Sequence, residues 1–183
     1  MDALGRRFAL LLLLVLGGLL PATAHADTRP GAWQQRDREG LSLGLRLISG
    51  TTLHGPQGFT PVTRFSYAIG GVVNRQLILG ADLGVTAWWD DSKASFHGDA
   101  VGQLFIVRGL FLRAGTGVAS HTYVAGDRRA AFGGSLGGGW EFPLKKRGFV
   151  SLSAEYDARV RSDRFAVRTV LFGVSIGGFP RKK

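Results

Sequence analysis

The sequence predicts an all-β fold, an eight-stranded antiparallel up-and-down barrel that crosses a membrane. From residue 39 onward, apolar residues alternate with small or polar ones at a period of two, which is typical of strands with two different faces. The number of such segments is even, and their connections alternate between short and longer. The second face consists mainly of Gly, Ser, Ala and Thr with isolated charges, which is not the composition of a solvated surface.

Eight segments carry the alternation. In the first, leucine occupies every odd position from Leu41 to Leu47, and Ser42, Gly44 and Arg46 lie between. Each segment is close to the ~9–11 residues that a tilted strand needs to cross a membrane. The pattern covers residues 41–47, 64–73, 77–86, 96–107, 110–118, 132–142, 150–159 and 169–177, with 96–107 the least regular.

The connections suggest that the two ends of the barrel differ. Short turns are predicted around Asn74-Arg75, around Arg108-Gly109 and from Pro143 to Gly148. Short turns at one end and longer loops at the other are typical of outer-membrane barrels. The predicted longer connections are residues 49–61, 89–95, 121–129 and 161–165.

The apolar face is predicted to meet lipid. A belt of aromatic side chains is expected near the strand ends, at the level of the lipid headgroups. A soluble periplasmic barrel that binds an apolar ligand is the alternative, and it requires the two faces to be reversed. The belt consists of Trp89, Phe96, Phe132, Trp140 and Phe142.

The inward face carries a set of charged residues that nearly cancel, five acids and four arginines. Isolated charges are costly in a narrow interior, and the forked guanidinium of arginine suits two carboxylates. The sequence therefore favours a polar plug that fills the barrel, with a conduit or gate as the alternative. The set is Arg46, Arg64, Asp82, Asp99, Arg113, Glu141, Glu155, Asp157 and Arg159.

On this pattern, residues 39–179 resemble the small eight-stranded outer-membrane proteins of Gram-negative bacteria, the OmpA/OmpX-like barrel type. The resemblance implies residence in the outer membrane and contact with the outer-membrane assembly machinery. Members of this type commonly end on an aromatic residue that the machinery reads. Phe179 is the candidate here, although Pro180 to Lys183 follow it and Gly177-Gly178 place it out of phase with Ile176.

Candidate catalytic groups are few. Ser95, His97 and Asp99 share a face, but same-face neighbours on a strand lie about 6.6 Å apart, beyond a nucleophile–base hydrogen bond. Ser120 and His121 are adjacent and face opposite ways. The chain has no cysteine, and its histidines form no metal-ligand cluster. We therefore expect no enzymatic activity, no cofactor and no metal; a lipid-modifying enzyme that uses Ser95, His97 or His121 is the alternative.

The net charge of +10 does not indicate nucleic-acid binding, because the basic residues are scattered and the chain is predicted to be exported. Outer-membrane lipid and lipopolysaccharide are the expected partners of a monomeric barrel. Four arginines in the predicted outer loops are either lipopolysaccharide phosphate contacts or solvated residues. They are Arg128, Arg129, Arg161 and Arg164.

Residues 1–26 have the parts of a secretory signal peptide. Arg6 and Arg7 form a basic start, an apolar run extends to Leu20, and Ala24-His25-Ala26 is a small-residue cleavage site. The run is short for the ~20 residues that a spanning helix needs. The predicted organisation is a signal peptide (1–26), an N-terminal periplasmic segment (27–38) that acts as a tether or a plug, the barrel (39–179) and a basic C-terminal tail (180–183).

Signal cleavage is directly measurable. Loss of Arg6, Arg7 and Asp2 with the signal lowers the formal net charge from +10 to +9. We expect the intact mass of the exported protein to correspond to a chain that begins at Asp27, and the protein to fractionate with the outer membrane. A mature mass that still includes residues 1–26, or a soluble periplasmic pool, would contradict this prediction.

Overall fold

The computed structural model describes residues 40–54, 58–89, 93–107, 109–122, 128–144, 147–161 and 166–180. The predicted signal peptide, the segment 27–38 and residues 181–183 of the tail lie outside these ranges, so what was predicted for them stays a prediction. None of the described residues belongs to a helix long and apolar enough to cross a bilayer.

Eight antiparallel strands form one closed barrel, as predicted. Each strand pairs with its neighbours in sequence, and β8 closes the barrel by pairing with β1. The strands are β1 (Leu41–His54), β2 (Gly58–Val72), β3 (Leu77–Trp88), β4 (Lys93–Val107), β5 (Leu110–Thr122), β6 (Arg128–Pro143), β7 (Gly148–Arg161) and β8 (Ala166–Gly178).

The strands are longer than the sequence pattern indicated, from 12 residues in β3 to 16 in β6. We call the end with connections 55–57, 89–92, 123–127 and 162–165 the loop end, and the end with connections 73–76, 108–109 and 144–147 the turn end. The connections have three to five residues at the loop end and two to four at the turn end, so the predicted contrast in connection length is wrong. The error is largest for 49–61, most of which continues β1 and β2.

Pro61 made the segment 49–61 look like a loop, yet it lies within β2, opposite Thr51. It is tolerated because the ladder between β2 and β3 ends beside it, at the pair Val62–Trp88. The backbone N–H of Trp89 still donates to the Pro61 carbonyl at 3.1 Å. The missing proline N–H therefore removes a bond only at the end of a ladder.

A β-bulge explains the irregular alternation of residues 96–107. The register between β4 and β5 shifts between Phe105 and Val107. Phe105 is buried, whereas Ile106 and Val107 are both exposed, so two consecutive side chains lie on the outer face. A bulge inserts one extra residue and thereby interrupts the period of two.

The distribution of apolar and charged residues is inverted relative to a water-soluble protein. Leu83 is 55% exposed, whereas the preceding Asp82 is 3% exposed. The same alternation is found in every strand, with large apolar side chains outside and mostly charged or small ones inside, apart from a few buried ones such as Ile48, Leu171 and Phe149. This is the pattern of a transmembrane barrel. It confirms the predicted orientation of the faces and does not fit the soluble alternative.

The five predicted belt aromatics all point outward and are exposed. Trp89, Phe96 and Phe132 lie towards the loop end, and Trp140 and Phe142 towards the turn end. The Trp89 indole N–H donates to Thr63 Oγ1 at 3.0 Å, which satisfies a polar group on the lipid-facing surface. Aromatic residues are not confined to the ends, because four more are exposed nearer mid-strand: Phe65, Tyr67, Tyr156 and Phe172.

The orientation of the faces can be tested at Leu83, near the middle of β3. Leu83→Arg places a charge in hydrocarbon and should reduce the free energy of unfolding by about 2–4 kcal/mol. Val73→Arg, at the turn end, is the matched control and should cost only about 0–1 kcal/mol. The measurement is equilibrium unfolding in lipid vesicles. Equal stability of Leu83→Arg and wild type would mean that the faces are inverted.

Candidate functional site

The nine predicted inward charges are all buried in the lumen, each with an exposed fraction of 8% or less. The nine residues lie on seven strands, and each occupies an inward-facing position of its strand. Eight of them are joined by ion pairs into one continuous chain.

The first half of this charge chain begins on β5. Arg113 donates through Nη2 to Asp82 Oδ2 at 2.6 Å, and Arg46 donates through Nη1 to the same oxygen at 2.5 Å. Arg46 then uses its other terminal nitrogen to donate to Glu155 Oε2 at 2.7 Å. Asp82 therefore accepts hydrogen bonds from two guanidinium groups, and Arg46 bridges two carboxylates from β3 and β7.

The second half continues from the other oxygen of Glu155. Arg64 donates through Nη1 to Glu155 Oε1 at 3.1 Å, and its Nη2 lies 3.2 Å from Asp157 Oδ2. Arg159 then donates through Nη2 to Asp157 Oδ2 at 2.9 Å and to Asp99 Oδ2 at 2.6 Å. The charges alternate in sign along the whole chain: Arg113, Asp82, Arg46, Glu155, Arg64, Asp157, Arg159, Asp99.

The charge chain is neutral, with four arginines and four carboxylates. Burying an ion costs several kcal/mol unless good geometry and further hydrogen bonds compensate it. Here each internal member contacts two groups of opposite sign, and such charge-assisted bonds are roughly twice as strong as neutral ones. Because the partners lie on six different strands, the chain also fixes the strands across the lumen.

Glu141, the fifth acid, lies near the turn end of β6, and its backbone N–H donates to the carbonyl of Gly109 at 2.9 Å. It is 2% exposed and lines a lumen cavity of about 50 Å³ together with Arg46 and Arg113. A water molecule needs ~10–15 Å³ of such space, so the cavity has room for a few. Its other polar walls are Ser42, Gln103, Ser151, Ser153 and Ser175.

Two sets of apolar side chains pack around the charged layer. On β1, β2 and β8, Ile48, Val62 and Leu171 form a buried cluster, with Trp88 packed against it. Towards the turn end lie two tilted aromatic pairs, Phe105–Phe111 and Phe149–Phe179, with ring centroids 5.9 and 5.6 Å apart. The alternation in the sequence did not reveal these apolar groups, although they occupy inward-facing positions of their strands, as the lumen charges do.

Phe179, the candidate assembly signal, is 2% exposed in the folded barrel. Its ring packs on Phe149, and its backbone N–H donates to the Arg147 carbonyl at 3.1 Å. Any recognition of this side chain by the assembly machinery would therefore have to precede closure of the barrel. Its role as the signal stays a prediction.

The three residues at catalytic spacing do not form a triad. Ser95 and His97 are buried, and Asp99 Oδ2 accepts a hydrogen bond from Arg159. The Nδ1 atom of His97 has no hydrogen-bond partner among the described residues. Ser120 is on the outer face, and the side chain of His121 lies outside what the structure describes. Among the described residues, no group of three or more potential metal ligands is found.

The four arginines proposed to contact lipopolysaccharide cannot be compared with the structure in detail. Arg128 and Arg129 begin β6 and Arg161 ends β7, so these three are strand-end rather than loop residues. Arg164 lies outside the described residues, as do the side chains of the other three. Their role therefore stays a prediction.

Removing a shared member of the charge chain should cost more than removing its end. Asp82→Ala leaves two buried guanidinium groups without their carboxylate, which should lower the free energy of unfolding by about 3–5 kcal/mol. Arg113→Ala should cost less, because Asp82 keeps its pair with Arg46. Gln103→Ala is the neutral control, since it removes only a 3.4 Å hydrogen bond to Arg113.

The measurement is equilibrium unfolding of the three variants in lipid vesicles. We expect stability to fall in the order Gln103→Ala, Arg113→Ala, Asp82→Ala. If Asp82→Ala were no less stable than Gln103→Ala, the charge chain would not contribute to the stability of the fold.

No protein-family model matches the chain, and comparison with curated proteins finds no relative. Solved structures do match it. Neisserial surface protein A (NspA) is 11% identical with a TM-score of 0.61, covering 78% of this chain and 98% of its own. Ail of Yersinia pestis is 16% identical with a TM-score of 0.47, covering 76% and 99%. The N-terminal β-barrel domain of Pseudomonas aeruginosa OprF is 14% identical with a TM-score of 0.46, covering 74% and 96%.

At these identities the likeness is one of fold alone. The conclusion about the fold rests on NspA, which has the highest of these three TM-scores. The match includes almost the whole of the NspA chain. The fold is therefore that of the small eight-stranded outer-membrane barrels, as the resemblance implied.

Proposed function

We propose that this chain is a non-enzymatic outer-membrane protein whose closed, side-chain-filled barrel has a structural or interaction role in that membrane. The observation that carries the proposal is the neutral chain of eight charges across the lumen. A pathway for ions or solutes needs groups that are free to contact what passes. Here both partners of each contact are side chains of the barrel itself.

Apolar side chains packed around the charge chain also favour a closed lumen. The cluster of Ile48, Val62 and Leu171 is buried on β1, β2 and β8 beside the charges. An ion that entered from the turn end would meet the pair Phe149–Phe179. Eight strands enclose a space that side chains just fill, whereas open aqueous channels belong to barrels of about 16–18 strands.

Residence in the outer membrane is supported by two independent features. The predicted signal peptide indicates export, and the fold exposes a continuous apolar surface that only a membrane can cover. Lipopolysaccharide at Arg128, Arg129, Arg161 and Arg164, the outer-membrane assembly machinery and a monomeric state remain part of the proposal.

The alternative, a lipid-modifying enzyme that uses Ser95, His97 or His121, is disfavoured by where the first two of these residues lie. Ser95 and His97 are 3% and 7% exposed and point into the lumen, so the wall of the barrel separates them from lipid. A nucleophile or base must come within hydrogen-bond reach of the group on which it acts. Deletion of the gene followed by a mass profile of lipid A would reveal such an activity as a shift in acylation or headgroup mass.

Conductance in planar bilayers tests whether the lumen is closed. We expect no stable porin-sized conductance for wild type, because the charge chain and the apolar side chains around it fill the lumen. The double variant Arg46→Ser with Glu155→Ser removes one positive and one negative member, which leaves the net charge of the lumen unchanged while widening it. We expect this variant to show a small ion leak.

The matched control is the double variant Leu45→Ser with Ala154→Ser, which changes neighbouring positions on the same two strands but on the lipid side. It should not conduct. A stable porin-sized conductance of the wild-type protein would overturn the closed lumen and make the charged interior a pathway.

A further inference from the structure

A furrow crosses the outer surface of the barrel obliquely, from β3 to β7. Its floor is a row of residues that are direct partners across adjacent strands, so they lie side by side on the outer surface. Each is an outward-facing residue with a small side chain or none. In order, the floor is Ala81, Ala100, Thr116, Gly134 and Ala158.

Larger apolar side chains border the furrow on both sides. They belong to the neighbouring outward-facing rows and are all substantially exposed, so they rise above the floor. Towards the loop end the border is Leu83, Val118, Phe132 and Val160, and towards the turn end it is Leu79, Leu136 and Tyr156. Small residues interrupt the border over β4 and β5, where Gly98, Gly102 and Ala114 widen the furrow.

The floor is kept low by two local features. At Gly134, an added Cβ would collide with the backbone carbonyl oxygen of Gly115, so the chain approaches too closely there for a side chain. The hydroxyl of Thr116 donates to the Gly133 carbonyl at 3.0 Å. The polar atom of Thr116 is thereby satisfied within the sheet, and its methyl group remains for an apolar occupant.

The next cross-strand partner after Ala158 is Arg168, the third residue of β8 from the loop end. Arg168 is exposed, and it is the only charged side chain on the outward face among residues whose side chains the structure describes. In that part of the chain it has no ion-pair partner. An arginine on a lipid-facing surface is tolerated near the interface, where it can reach anionic headgroups.

The furrow therefore joins an apolar channel in the hydrocarbon region to a single cation near the membrane surface. Five steps between adjacent strands separate Ala81 from Arg168, a distance of about 24 Å at ~4.8 Å per step. The row begins near the loop end at β8 and reaches the half of β3 nearer the turn end, because Ala81 is the fifth residue of β3 from the turn end. Such a shape fits one extended acyl chain below an anionic headgroup.

We propose that this furrow seats one acyl chain of lipopolysaccharide and that Arg168 binds a phosphate of its lipid A headgroup. The inference rests on the proposed function, in which Arg128, Arg129 and Arg161 at the loop end contact lipopolysaccharide. The loop end then lies at the outer surface, where lipopolysaccharide forms the facing leaflet. The planar guanidinium binds phosphate through two parallel N–H donors, which gives geometric selectivity in addition to charge. The occupant is thus held at its headgroup by Arg168 and along its chain by the borders of the furrow.

The test is retention of purified lipid A by the folded barrel in detergent micelles, measured by native mass spectrometry. Arg168→Gln removes the cation, and Ala158→Leu fills the floor beside it. The matched controls are Arg75→Gln, which removes one positive charge at the turn end, and Ala154→Leu, which adds the same volume to the outer face of β7 outside the furrow. Circular dichroism of each variant establishes that the barrel is folded.

We expect wild type and both controls to retain one lipid A, and Arg168→Gln and Ala158→Leu each to lower retention about tenfold, equivalent to about 1.4 kcal/mol. Phosphatidylglycerol, offered in place of lipid A, should be retained less. Equal retention by all five proteins, or equal retention of the two lipids, would overturn the proposal. A dimer mass that Ala158→Leu abolishes would overturn it as well and assign the furrow to a second copy of the chain.

The design separates failure of this inference from failure of the proposed function. A barrel that inserts into vesicles and does not conduct, yet retains no lipid A, contradicts only the proposal that the furrow and Arg168 bind lipid A. A wild-type chain that does not insert, or that conducts like a porin, contradicts the proposed function itself.

Discussion

The alternating chain of charges in the lumen is the interaction on which the rest of the structure depends. Most large apolar side chains of this barrel face outward to lipid, and those buried inside are few, such as the cluster at Ile48 and the aromatic pairs. What joins the strands across the middle of the lumen is therefore mainly polar, and it has to be neutral to be tolerated at low dielectric. Asp82, Glu155 and Asp157 each contact two guanidinium groups and Asp99 contacts one, so the eight charges fix six strands to one another and the charge chain carries no net charge.

The same constraint explains why the lumen is layered. A buried ion pair is strongest where water is excluded, and the apolar cluster at Ile48 and the pair Phe149–Phe179 exclude water from parts of the lumen around the charged layer. Between the charge chain and the aromatic pairs lies a polar cavity with room for a few water molecules. The closed lumen thus follows from the requirements of stability, without a separate device for gating.

Because the charged groups of the lumen bind one another, specific interactions with other molecules have to arise on the outside of the barrel or in its loops. Most of the outer surface is apolar, and lipid covers such a surface without selectivity. Arg168 and the oblique furrow that leads to it are the exception, since they combine a shape with a charge. Among the side chains that the structure describes, paired charges fill the lumen. Arg168, which has no ion-pair partner in that part of the chain, is the charge on the outer face that we propose as a contact for lipid A.

The sequence by itself determined the faces, the strand number and the inward position of all nine lumen charges, because side chains alternate with a period of two in any strand. It could not give strand ends, since Thr51, Thr52 and Pro61 are equally compatible with a loop until the neighbouring ladders are known. Nor could it give the order of the charge chain or the row from Ala81 to Arg168. The row depends on the register of the five ladders from β3–β4 to β7–β8, which the alternation of side chains does not specify. The charge chain joins strands that are distant in sequence, and only closure of the barrel through the β1–β8 pairing places them around one lumen.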